Sequence, residues 1–213
     1  MPRPRFSNLP LDKRQRILEA AAYEFAAHGF NGASLNRIIE AAGISKGAAY
    51  YYFDDKADLY ATVLTEGWRM LLPESGLEAA TLDRATFWST LREVYQGMLK
   101  AAEQQPWLIA VGKLVYGPAP SPALGQVVAD EFRHAFAYLS ELIGHGQRIG
   151  AIRADVPAAF LVAVVGAAFE AADRWSVAHA EEMGPAALDQ LGVTLFDMIE
   201  RFVAPPTEKE DHQ

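Results

Sequence analysis

An all-α fold is predicted by three observations on this sequence. Apolar residues recur at the helical spacing of three and four over nearly the whole chain. Period-two runs of Val, Ile and Thr, the mark of half-buried strands, are missing, and Ala, Leu and Glu dominate instead. Clusters of Pro and Gly then cut the helical pattern into a small N-terminal module and a larger bundle.

The first helix is expected over 11–28, with Ile17, Leu18, Ala21, Ala22 and Phe25 on one stripe and His28-Gly29 as its stop. Ser34 is the natural N-cap of a short second helix, in which Leu35, Ile38, Ile39 and Ala42 fall at i, i+3, i+4 and i+7. Gly43-Ile44 turns the chain, and Ser45 caps a third, very short helix that ends near Tyr51. Asp55 opens a fourth, over 55–72, with Asp58 as a capping partner and Leu59, Tyr60, Val63, Leu64 and Trp68 on its apolar side. Pro73-Glu-Ser-Gly76 breaks that helix and marks a boundary. Helices are expected beyond it at 83–104, 107–116, 122–146, 157–180 and 185–203, separated by Pro106, Gly117–Pro122, the Gly150–Pro157 stretch and Gly184-Pro185. The division predicted is therefore 1–55, a linking helix at 55–72, a second domain over 73–204, and a polar, disordered tail at 205–213.

Composition bounds what such a chain does. It has 213 residues, a formal net charge of −8 and no Cys, which excludes a disulfide scaffold, a thiolate metal site and a cysteine nucleophile. Its longest uncharged apolar run, Pro157 to Phe169, falls short of the ~18–20 residues of a membrane span, and Met-Pro-Arg-Pro-Arg leads into no apolar segment. A soluble, cytoplasmic protein without a membrane partner is expected. The acidity is uneven: residues 1–60 carry eight Lys and Arg against seven Asp and Glu, so the excess negative charge lies beyond them. Five His residues form no metal-binding pattern; His134 and His145 share a helix face but lie about 16 Å apart along it. No HExxH, P-loop, GxSxG or GxGxxG motif is present. Neither an enzyme, a metal nor a cofactor is predicted.

Two short helices joined by a tight glycine turn are the signature of a helix-turn-helix, whose second helix enters the major groove of DNA. The outer face of 45–51 suits that task. Ser45 and Lys46 stand at a helix N-terminus, where free N–H groups favour anions. Gly47 permits close approach to the duplex, and Tyr50 and Tyr51 offer hydroxyls to phosphates or ring faces to thymine methyls. Lys56 is placed for a backbone phosphate, and Ser34, Arg37 and Ala48 complete the expected DNA-binding set. Arg3 and Arg5 form an arm that is expected to be disordered and idle, with a minor-groove contact as the alternative.

The order of these residues is specific. Arg16-Ile-Leu-Glu-Ala-Ala-Ala-Tyr-Glu-Phe25, His28-Gly-Phe-Asn-Gly32, Ser34-Leu-Asn-Arg-Ile38, Ala42-Gly-Ile-Ser-Lys-Gly47, Tyr50-Tyr-Tyr-Phe53 and Lys56-Ala-Asp-Leu59 resemble, without a gap over 12–64, the TetR family of transcriptional regulators. Ile39 stands where that family has a small residue and Ala49 where it has a bulky one, a volume swap that keeps the core filled.

The resemblance implies a ligand-released repressor that binds a palindromic operator in double-stranded DNA as a homodimer. A TetR-like activator, or a helical interaction module that does not bind DNA, are the alternatives. It further implies a pocket for a small effector among the middle helices. Their Trp88, Leu91, Tyr95, Met98, Trp107, Val111, Phe132, Phe136 and Phe169, with Glu170 as polar anchor, suggest an apolar or aromatic ligand. The last two helices are expected to form the dimer interface through Ala163, Gly166, Ala167, Leu188, Leu191, Leu195, Ile199 and Phe202.

Overall fold

The computed structural model describes residues 4–71 and 78–206. Every regular element in them is helical: α1 (Pro4–Ser7), α2 (Leu11–Gly32), α3 (Leu35–Ala42), α4 (Lys46–Tyr52), α5 (Lys56–Leu71), a 3-10 turn at Ala79–Thr81, α6 (Phe87–Gln104), α7 (Trp107–Tyr116), α8 (Pro122–Arg148), α9 (Ala158–Met183) and α10 (Pro185–Val203). The Pro73–Gly76 break and the 207–213 part of the tail lie outside the described residues.

Two differences from the expected elements have local causes. The helix breaks at Gly29 (φ +65°, ψ 170°), where its stop was expected, but a short further turn across that kink carries α2 on to Gly32. The arm holding Arg5 is ordered rather than disordered: Pro4–Ser7 forms a helical turn and Phe6 within it is fully buried. Arg3 lies outside the described residues.

The chain packs as two compact units. The first draws on Met1–Glu74 and Gln104–Phe132, the second on Ser75–Glu103 and Arg133–Gln213. In the first, the stripe Ile17, Leu18, Ala21, Ala22 and Phe25 of α2 is buried against Ile38 and Ala42 of α3, Leu59, Val63 and Leu64 of α5, and Trp107 and Val111 of α7. An aromatic cluster ties α2 to α5: the Tyr60 ring meets Phe25 at 4.9 Å and Phe30 at 5.5 Å, both edge-on. In the second unit, Phe87, Leu142, Ile143, Ile152, Leu161, Val165, Ile199 and Val203 form the core.

The apolar circumference of 157–169 has a simple origin. Leu161 and Val165 point into the second unit's core, whereas Phe160 and Val164 stay exposed on the other side of α9. Gly166 belongs to the inward side: a Cβ there would lie 2.6 Å from Phe136 Cζ. Gly166→Ala is therefore expected to cost about 1–3 kcal/mol through overpacking, read as a lower midpoint in urea unfolding. An unchanged midpoint would show that the Phe136 ring moves aside freely.

Candidate nucleic-acid interface

Seven residues make a poor helix by themselves, and α4 is held from three sides. Ser45 caps it, its Oγ accepting the Ala48 N–H at 3.1 Å. Gly43, in the left-handed region at φ +64°, closes α3, and the Ile44 N–H reaches back to the Ile39 carbonyl at 3.1 Å. Ala49 and Tyr52 then bury the underside of α4, and Phe53 follows into the core. The opposite face carries Ser45, Lys46, Gly47, Tyr50 and Tyr51, all exposed, with Ala48 at its edge. Tyr50 and Tyr51 each keep about half of their surface in solvent (50% and 49%).

The entry to α3 is fixed by one carboxylate. Glu24 Oε1 accepts the Ser34 backbone N–H and the Arg37 Nε, both at 2.8 Å, and Arg37 Nη2 also donates to the Gly32 carbonyl at 3.0 Å. Ser34 caps α3 at the same time, accepting from the Arg37 N–H at 3.4 Å. The Arg37 guanidinium, with the Ser34 amide, holds the Glu24 carboxyl below the usual carboxylate range despite its burial. Arg37 and Ser34 thus build the motif from within the protein.

Lys56 is engaged in a similar way. Its Nζ donates to the Ala33 carbonyl at 3.1 Å and the Asn31 carbonyl at 3.4 Å, and it lies 4.8 Å from the Phe30 ring centroid. A cation there closes the last turn of α2, where carbonyls lack partners. α5 itself begins at Asp55, whose Oδ1 accepts the Asp58 N–H at 2.8 Å while Asp58 accepts from the Asp54 N–H.

Comparison with known proteins agrees with this geometry. Residues 17–63 match the model of the bacterial regulatory proteins of the tetR family. The HTH-type transcriptional repressor AcnR of Corynebacterium efficiens is 36% identical over 99 residues, which cover 46% of this chain and 47% of that protein. The match thus spans about half the length of this curated relative. A solved TetR family regulator from Chloroflexus aurantiacus shares 26% identity over 95% of this chain and 98% of its own, with a TM-score of 0.59. The N-terminal module of this chain, residues 17–63, is thus a TetR-family domain. The fold itself also matches the fatty acid degradation regulator FadR of Bacillus halodurans, at a TM-score of 0.74 and 16% identity over 97% of this chain and 100% of that one.

The residues expected around an effector fall into both units. Trp107 and Val111 are buried in the core of the first, and the Trp107 indole N–H is taken by Gln105 Oε1 at 3.1 Å. Phe132 belongs to the same unit, 5.0 Å from the Trp68 ring. Trp88, Leu91, Tyr95, Met98, Phe136, Phe169 and Glu170 belong to the second. There Tyr95 packs between Phe169 at 5.6 Å and Phe196 at 5.3 Å, and Trp88 donates to the Ala151 carbonyl at 3.0 Å. Glu170 pairs with Arg174 at 2.7 Å along α9. Trp88 and Trp107 thus have their polar ends satisfied inside cores.

One residue absent from the expected set stands apart. The Trp68 indole N–H is buried and has no partner. Its sequence signal, an apolar position on the 55–72 stripe, is the same as for any core residue.

The residues expected at a dimer interface also divide. Ala163, Ala167 and Phe202 are exposed, Leu188 and Leu191 are half-buried, Leu195 packs on the second unit's core, and Ile199 and Gly166 are buried within it. Besides Phe202, the exposed large apolar side chains on α9 and α10 are Phe160, Val164, Trp175 and Met198.

The Glu24 bonds carry a pH dependence. Their contribution is present above the ordinary carboxyl pKa of about 4.5 and is lost as pH falls through the lower value of the folded state. Glu24→Gln is expected to flatten the acid limb of stability below that pH, measured by thermal melting between about pH 3 and 6. Equal slopes in both proteins would separate Glu24 from the acid response.

Proposed function

We propose that this protein is a dimeric transcriptional repressor that binds a palindromic operator through α4 and lets go when a small effector binds. The observation that carries the reading is the two-sided character of α4. Its underside is locked in the core by Ala49 and Tyr52, and its outer face presents Lys46, a bare backbone at Gly47, and two half-exposed tyrosines. Such a face suits phosphate contact at its N-terminal end and base contact along its length.

Exposed apolar side chains on α9 and α10 favour a second copy as the partner of the second unit. A two-fold dimer would bring two copies of α4 to two half-sites, which multiplies affinity and reads a palindrome. The partnerless Trp68 N–H favours an effector that couples an aromatic or apolar body to a hydrogen-bond acceptor, because burying that donor unmet costs about 1–3 kcal/mol. Binding that prefers the DNA-free state by ~100-fold, about 2.7 kcal/mol, would empty most operators.

Selection of bound sequences from random duplexes tests the reading and yields the operator. A palindromic consensus is expected, and no enrichment would leave a helical interaction module as the better description. On that operator, Lys46→Ala is expected to weaken binding to all sequences alike, whereas Tyr51→Ala also changes the preferred bases. A Tyr51 variant with unaltered preference would remove Tyr51 from base reading.

Light scattering is expected to give twice the 23.3 kDa chain mass. Trp175→Glu, at a site 44% exposed in the single chain, is expected to give a folded monomer because its charge would be buried unpaired between copies. A wild-type mass of one chain at micromolar concentration would end the dimer proposal.

A further inference from the structure

The N-terminal turn that precedes α2 touches the exposed face of α4. Phe6 is fully buried, with its ring 5.0 Å from Phe53 and 6.4 Å from Tyr52, the residues that end α4. The Leu9 N–H closes the turn on the Phe6 carbonyl at 3.0 Å, and Pro10 starts α2 directly. Phe6 therefore pins Pro4–Ser7 beneath the C-terminal end of α4. Arg5, next to it and exposed, lies with its guanidinium 4.4 Å from the centroid of the Tyr51 ring.

A guanidinium stacked on a ring uses its flat face and leaves its in-plane N–H donors directed outward. Tyr51 is on the same face as Lys46 and Tyr50, so the stack holds those donors at the rim of the surface that would meet DNA. The geometry points to Arg5 as a phosphate-binding residue of the DNA interface, carried on Tyr51 and positioned by Phe6. This rests on the reading of α4 as the DNA-contacting helix. It adds a second cation to the α4 face beside Lys46, since Arg37 is held by Glu24 and Lys56 by two carbonyls. It also explains why a buried aromatic sits in an arm that is otherwise Pro, Arg and Ser.

The test is fluorescence anisotropy on the selected duplex between about 50 and 200 mM salt, with the full-length protein. A phosphate contact contributes roughly 0.9 to the slope of log affinity against log salt. Arg5→Ala is expected to flatten the slope by about that amount per protomer and to weaken binding on the order of tenfold at ~0.1 M salt. Arg5→Lys is expected to keep the slope, because the charge remains. A residue that merely braced Tyr51 would change affinity or base preference and leave the slope alone. That result, or an Arg5→Ala protein indistinguishable from wild type, would overturn the proposal. Phe6→Ala is expected to lose affinity together with thermal stability, and Arg5→Ala keeps the test decisive if that variant does not fold. Wild-type protein that binds no duplex would sink the reading of α4 along with this one, whereas tight wild-type binding with an unaltered Arg5→Ala slope would sink this one alone.

Discussion

A helix of seven residues is not stable in water, because the cost of its first turn is spread over too few hydrogen bonds. α4 exists only because Ser45 closes one end and the rings of Tyr52 and Phe53 are drawn into a core at the other. That core is built by α2, α3 and α5, and Phe6 fills it from the N-terminal side. The consequence is a short rod whose tilt is set by aromatic packing rather than by its own length. A surface of this kind can present backbone and side chains to a rigid partner with little loss of entropy on binding.

Charge is distributed by the same logic. A chain with a net charge of −8 is repelled by nucleic acid as a whole, so cations must be placed where they act. Several of the cations in the N-terminal sequence are committed inside the protein. Arg37 locks the α2–α3 corner through Glu24, and Lys56 caps the end of α2 while it lies over Phe30. Each holds a joint of the motif in register. Lys46 and Arg5 stand at opposite ends of the exposed α4 face, with Lys13 6.0 Å from the Tyr52 ring behind it.

Most of the architecture was legible in the sequence, and the physical reasons differ between elements. Caps and turns act locally, so Ser34, Gly43, Ser45 and Asp55 announced themselves by residue type and place. The stripes of α2 and α3 were equally visible because a helix must bury one face. What escaped was set by long-range packing. Phe6 carries no periodic neighbour that would mark it as core, and its contact with Phe53 is what makes it so. Lys56 and Arg37 had the right type and spacing for phosphate, and the carbonyls and carboxylate that engage them are supplied by other parts of the chain. The aromatics of 83–175 could not be sorted into core and pocket by composition, since an indole in a filled core and one in a cavity obey the same period. Leu195 and Ile199 likewise shared a period with Phe202 without sharing its exposed side of α10.

The place of α7 bears on how the proposed effector would act on the helices of the N-terminal module. Although it follows the boundary that the Pro and Gly residues suggested, it packs into the N-terminal core, with Trp107 fully buried and Val111 against Gly67 of α5. A Cβ at Gly67 would lie 2.8 Å from Val111, so these helices meet with no slack. The Gln15 amide of α2 donates to Gln105 at 2.6 Å, and Gln105 in turn accepts from the Trp107 indole. Through those contacts α2, α5 and α7 behave as one packed wedge, and α2 carries α3 and α4 with it. A close-packed wedge responds to displacement by rotating as a body, because its interior cannot compress. Moving α7 by a small amount would therefore swing the α4 face while leaving its local geometry intact. In a two-fold assembly such a swing changes the separation of two recognition helices, and that separation is the quantity a palindromic operator measures.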